Sequence, residues 1–342
     1  MNKILIISII SIFMASVIRL PLMETKPATR VDESTPLSTV LEQLGDKPVD
    51  KPDMNMKGVS VERGRDLFTG GHTIGPNGVR TPEQSPHFKC VACHNTQRED
   101  PDLMKSDPEA RLDYVKLHGA KLLQGTTVWG IYNRTSFYNG DYFRKYGDLV
   151  YKTRNNIREA IQLCAIACSQ GRHLKDWEVE SILAYYQSIG LKTGDLSLQK
   201  ADYQVINDAM NTGAGKEKAL AMLKTKYRTD SPATFVLPPT DIKKGYGNKG
   251  NVERGKTIYD LSCLHCHERK IYSYFELDQD KMSFRFLKKF MSRYSRYSLY
   301  QVGRWGTEPM HWKRAYMPFY TAEKLSNQQI EDLRTYIEMA AE

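Results

Sequence analysis

The pentapeptides "CVACH" at 90–94 and "CLHCH" at 263–267 carry the most committed chemistry in this chain of 342 residues. Two cysteines spaced C-x-x-C and followed at once by histidine form the attachment signature of c-type haem. The two thiols add across the porphyrin vinyl groups, and the adjacent imidazole reaches the iron from the proximal side. Cys90, Cys93 and His94 are therefore read as one haem site, and Cys263, Cys266 and His267 as a second. Disulfide or zinc readings of the same cysteines leave both histidines without a role.

Four of six cysteines are used in this way. The other two, Cys164 and Cys168, sit four residues apart in "NNIREAIQLCAIACSQG" at 155–171, which reads as a helix. Side chains at that spacing are neighbours, yet helix geometry disfavours a strain-free disulfide between them. As structure they are buried thiols packing as small hydrophobes. As chemistry, one thiolate is the sixth ligand of the first iron, pushing electron density onto the metal, where a thioether ligand raises the potential. His118, Met104 and His173 compete for that place. For the second iron the candidate is Met317 in "RAYMPFYTAEKLS", a Met-Pro on an extended loop just before the last helix. Met310 in "GTEPMHW", with His311 behind it, is its competitor.

The elements that position these residues occur twice. "VERGRDLF" at 61–68 returns as "VERGKTIY" at 252–259, and each copy leads into a C-x-x-C-H motif. Each unit closes on an amphipathic helix, "DWEVESILAYYQSI" at 176–189 and "SNQQIEDLRTYIEMA" at 326–340. Val179, Ile182, Leu183, Tyr186 and Ile189 share one face of the first, as do Ile330, Leu333, Tyr336 and Ile337 of the second. Asp176 and Ser326 are the expected N-caps, and Gly190 the expected stop. The first unit carries an extra loop, "TGGHTIGPNGVRTPEQSPHF", dense in Gly and Pro, whose Arg80, His72 and His87 read as loop surface. The expected fold is mainly α: two cytochrome c-type helical haem domains in tandem, at 59–190 and 250–342, joined by a long connector at 191–249. Residues 24–58 read as an extended linker. The stretch 281–305 reads as one helix, its aromatic face packed near the second haem and its basic residues in water.

"NIREAIQLCAIACSQGRHLKDWEVESILAYYQSIG" resembles the end of the first domain in the SoxA and thiosulfate dehydrogenase cytochromes. That family's pattern is roughly R-I-N-x-C-F-x-x-S-x-N-G-x-x-L, then a helix ending in an A-Y pair. The resemblance places the family's haem-ligating cysteine on Cys164, its serine on Cys168, its N-G on Gln170-Gly171 and its leucine on Leu174. It implies a His94/Cys164 haem, with Cys164 catalytic, that oxidises thiosulfate to tetrathionate and passes electrons through a His267/Met317 haem. Ala160 and Gln162 stand where the family has the arginine and asparagine that help hold the anion. Arg154, Arg158 and Arg172 remain nearby as alternative anion donors. "GTTVWGIYNRTSFY" at 125–138 reads as a haem-pocket wall, where Trp129, Asn133 and Arg134 stand, Arg134 within reach of a propionate.

Lys and Arg together number 49 against 40 acidic residues, a net charge of +9. That excess favours an anionic substrate, an acidic protein partner or a membrane surface. Nucleic acid is not expected, because no reader motif accompanies the charge. The leader "MNKILIISIISIFMASVIRLPLM", residues 1–23, has an apolar run shorter than the roughly 20 residues a spanning helix needs. It reads as an export signal, and, lacking an A-x-A-like cleavage site, also as an uncleaved anchor to the inner membrane. The expectation is an exported, periplasmic dihaem cytochrome with two covalent haem c groups, delivering electrons to a redox partner protein or respiratory complex. A substrate-free electron carrier and a dihaem peroxidase are the other two readings.

Overall fold

The computed structural model describes residues 30–47, 50–307 and 316–342. The leader, Met310 and His311 lie outside the described residues. Among the described residues the regular structure is helical, with two isolated β-bridges, Pro36 to Lys192 and Ile74 to Arg80.

The repeated "VERG" segments form opening helices, Val61–Gly70 and Val252–Ile258. Each begins on a side-chain cap: Ser60 accepts from the Arg63 amide, and Asn251 from the Arg254 amide. Each lies across a closing helix, Asp176–Ser188 or Asn327–Ala340. The contact is made at the repeated glycine. A Cβ on Gly64 would stand 1.9 Å from the Ser181 carbonyl oxygen, and one on Gly255 would stand 2.0 Å from that of Asp332. Ser326 caps the second closing helix as expected, while the first begins one residue earlier than expected, with Lys175 rather than Asp176 at the N-cap.

Each helix pair has its own core. Leu67, Phe68, Val179, Ile182 and Leu183 fill the first; Ile258, Tyr259, Ile330, Leu333 and Ile337 fill the second. The second core also takes Leu112, Val115 and Leu122, which follow in sequence from the first unit. Leu112 and Val115 stand on one side of the helix Pro108–His118, and the Leu122 amide donates to the Leu261 carbonyl at 3.1 Å. Burying Leu112 and Val115 contributes about 1.5–3 kcal/mol each, so packing crosses the expected boundary at 190.

Two expectations need correcting. The 24–58 stretch is not uniformly extended: Leu37–Gln43 is a helix whose Leu37, Val40 and Leu41 are buried. They pack with Ile206, Leu223 and Tyr227 of the connector, so linker and connector share a third small core. Leu37→Ala should therefore cost about 2–5 kcal/mol in denaturant unfolding; a loss below 0.5 kcal/mol would return this stretch to a passive linker. The 281–305 stretch forms two helices, Lys281–Met291 and Leu299–Trp305, because Ser292 leaves helical geometry and the intervening serines make turns.

Candidate haem sites

Cys90–Ala92 is a single tight turn, and the His94 amide closes it on the Cys90 carbonyl at 3.0 Å. His94 Nδ1 lies 2.6 Å from the Thr126 carbonyl oxygen. A carbonyl only accepts, so Nδ1 carries the proton and Nε2 keeps its lone pair. His267 repeats the arrangement, with Nδ1 2.6 Å from the Phe275 carbonyl oxygen. Burial lowers the pKa of both imidazoles and keeps them neutral, as a metal ligand must be. Gly125 leaves room for the first: a Cβ there would stand 2.6 Å from the His94 ring. In each site two free thiols and one Nε2 are brought together, a donor set that fits haem c and fixes the ligand's tautomer through its second nitrogen.

The helix Ile157–Leu163 widens into one π-helical turn at Cys164–Cys168, closed by the Ser169 amide on the Cys164 carbonyl at 2.9 Å. Such turns collect at functional sites. The extra residue is stabilised from the inserted loop. Gln84 Nε2 donates to the Ala165 carbonyl at 3.0 Å and to Ser169 Oγ at 2.6 Å, and Ser85 Oγ donates to the Ser169 carbonyl at 2.5 Å. Gly171 must be glycine, because a Cβ would meet the Gln84 carbonyl oxygen at 2.2 Å. Gln84 and Ser85 escape sequence reading: nothing in a Gly/Pro-rich loop tells which polar residues turn inward.

Cys164 and Cys168 share a hydrogen bond. Donation to Cys168, then burial, pushes the Cys164 thiol well up; donation by Cys164 and by Tyr138 brings Cys168 down despite its burial. Cys164 lies within electrostatic reach of Cys90 and Cys93, and Cys93 within reach of Cys168. Burial and these cysteines also push up the hydroxyls of Tyr138, Tyr142, Tyr186 and Tyr316, which wall the same space. The competing ligands turn to water. His118 is exposed with its ring tilted against Tyr114, His173 is exposed, and Met104 is 41% exposed.

The anion donors are differently employed. Arg158 grips Glu180 with Nη2 at 2.9 Å and Nε at 2.5 Å, and Arg172 grips Glu178 at 2.7 and 2.6 Å. Gln162 holds the backbone of Leu174 from both ends of its amide, at 2.6 and 3.1 Å. In the loop, His72 and Arg80 both pair with Glu83. Arg134 donates to Ser231 Oγ at 2.7 Å and lies among Glu99, Asp100 and Arg111. Trp129 stacks under Arg98, and Asn133 Oδ1 accepts from the Leu191 amide at 2.8 Å.

At the second site Met317 is half-buried against the core that also touches Cys263 and Phe275. Its backbone pairs with Thr307: the Thr307 amide donates to the Met317 carbonyl at 2.9 Å, and the Met317 amide to Thr307 Oγ1 at 2.8 Å. Phe275 joins Phe286, Phe290 and Tyr297 in an aromatic cluster beside His267, the packing expected for that face.

The two motifs also touch each other. His265 Nε2 donates to the Val91 carbonyl at 3.1 Å, and Cys266 Sγ lies 3.8 Å from the Ala92 carbonyl. Tyr320, buried at 3% exposure, feels the charges of Cys263, Cys266 and Cys93 together.

Residues 252–340 match the cytochrome c family. No curated protein and no solved structure matches the chain. The second unit is thus a cytochrome c domain, whose family binds haem c and its iron covalently.

Proposed function

With a cytochrome c domain at 252–340 as its premise, we propose that the chain is an exported dihaem cytochrome with one haem c on each C-x-x-C-H motif. The single observation that supports this reading most is the repeated histidine geometry. His94 and His267 each donate Nδ1–H to a backbone carbonyl at 2.6 Å and present Nε2. When bound, each haem supplies a one-electron iron centre. The protein holds the two motifs in contact through His265, Cys266, Val91 and Ala92, which keeps the porphyrin attachment points adjacent. Cys164 is proposed as the sixth ligand of the first iron and Met317 as that of the second, with electrons leaving to a redox partner protein or respiratory complex in the periplasm.

Cys168 is a second reading for the first ligand, favoured by the Cys164 and Tyr138 donors that make it the more acidic thiol. Low-spin EPR of the oxidised protein decides. Cys164→Ala should abolish the thiolate signature and Cys168→Ala should keep it; the reverse pattern assigns Cys168, and no thiolate signature in the wild type rejects both.

The specific activity proposed is oxidation of thiosulfate. Two thiosulfate ions each give up one electron and join through a new S–S bond as tetrathionate, while the redox partner is reduced by two electrons. The family-like cysteine segment supports this; the internal ion pairs of Arg158 and Arg172 mean that other donors must hold the anion. In stopped-flow mixing, thiosulfate should reduce haem within the dead time to seconds. Absence of reduction at any concentration leaves electron carriage without a substrate of its own.

A further inference from the structure

One peptide group beyond the His94 Nδ1 hydrogen bond stands a buried carboxylate that the haem reading does not use. Glu99 is 1% exposed. Its Oε1 accepts from the Thr127 amide at 3.1 Å, and its Oε2 from Asn95 Nδ2 at 3.1 Å. The Thr127 N–H and the Thr126 C=O belong to one peptide group, and His94 donates to that C=O at 2.6 Å. The three groups form a line: imidazole N–H, peptide, carboxylate. A negative charge at the N–H end of a peptide draws electron density toward its oxygen, and hydrogen bonds in such a chain strengthen one another.

The cation that holds this carboxylate in place comes from the other unit. Lys324 Nζ lies 2.5 Å from Glu99 Oε1, with the lysine itself 6% exposed. Arg111, 3% exposed, stands 3.9 Å away and is held by Asp100 in a bidentate pair at 2.9 Å and by the Glu323 carbonyl at 2.6 Å. Thr127 Oγ1 fixes the loop by donating to the Asn95 and Gln97 carbonyls at 3.0 and 2.7 Å. At the second site the corresponding peptide begins at the Phe275 carbonyl, and among the described residues no carboxylate accepts from its N–H.

We propose that Glu99 is a positioning residue that lowers the potential of the first haem by polarising the Thr126–Thr127 peptide onto His94, with Lys324 clamping the carboxylate in place. The inference rests on His94 ligating a haem. A stronger acceptor gives His94 more imidazolate character, which favours the oxidised iron and directs electrons from the first site toward the second.

Spectroelectrochemical titration of the dihaem protein tests this, together with a haem count. Glu99→Gln keeps an acceptor but removes the charge. Glu99→Asp keeps the charge but is one methylene short of Thr127. Both should shift the first haem's redox equilibrium about tenfold toward the reduced form, 59 mV for a one-electron couple, and leave the second unmoved. The double variant Glu99→Gln/Lys324→Met removes the unpaired ammonium that would threaten folding of Glu99→Gln alone, and cancels the through-space charges; it should shift in the same direction. Two haems with the first potential unmoved in Glu99→Asp and in the double variant would overturn the relay alone. A wild type with one haem, bound at 263–267, would overturn the dihaem reading and the relay with it.

Discussion

Gly255→Ala is expected to cost about 3 kcal/mol or more in denaturant unfolding, and Gly64→Ala a similar amount. A methyl group at either position falls within 2.0 Å of a carbonyl oxygen in the closing helix. The obstacle is backbone rather than a flexible side chain, so relief requires the helices to part. Parting uncovers Ile258 and Ile330 in one unit and Leu67 and Leu183 in the other, each 2% exposed or less. Alanine's better helix propensity, about 1 kcal/mol, works in the opposite direction and is too small to compensate. A cost below 1 kcal/mol at both positions would mean that the helix crossings are looser than described.

The second large effect concerns the charged contact between the units. Burial pushes the Glu99 carboxyl up, but the charges of Lys324 and Arg111 outweigh it and hold it down to about 2. Lys324→Met removes the nearer partner and leaves a buried carboxylate, which costs about 3–5 kcal/mol. The same pair gives a pH dependence. A carboxyl whose folded pKa lies below its unfolded value of 4.5 contributes stability that is present above pH 4.5 and lost as pH falls toward 2. Urea unfolding of the wild type should therefore weaken across that window. Glu99→Gln/Lys324→Met should show a shallower slope there, and equal slopes would contradict the assignment.

The sequence repeat made the opening and closing helices legible, because both the "VERG" glycine and the 3.6-residue apolar period are local signals. The attachment motifs were equally plain. What stayed hidden is what long-range packing decides. Leu112 and Val115 look like any short apolar stripe, and nothing local says that they enter the second core rather than the first. Leu37, Val40 and Leu41 occupy a seven-residue helix too short to announce itself without the connector that covers it. Arg158 and Arg172 sit suggestively beside the cysteines, but their bidentate glutamates lie 22 and 6 residues further on. Glu99 reads as an ordinary charge in "NTQREDPD", because its role is defined by the Thr126–Thr127 peptide and by Lys324, 225 residues away.

Counting covalent haem by intact mass with the pyridine haemochrome spectrum tests whether the chain carries two haems, one on each motif. The expected result is two haems per chain, falling to one in Cys90→Ala/Cys93→Ala and to one in Cys263→Ala/Cys266→Ala. A wild type carrying a single haem, with Cys90 and Cys93 open to alkylation, would contradict it.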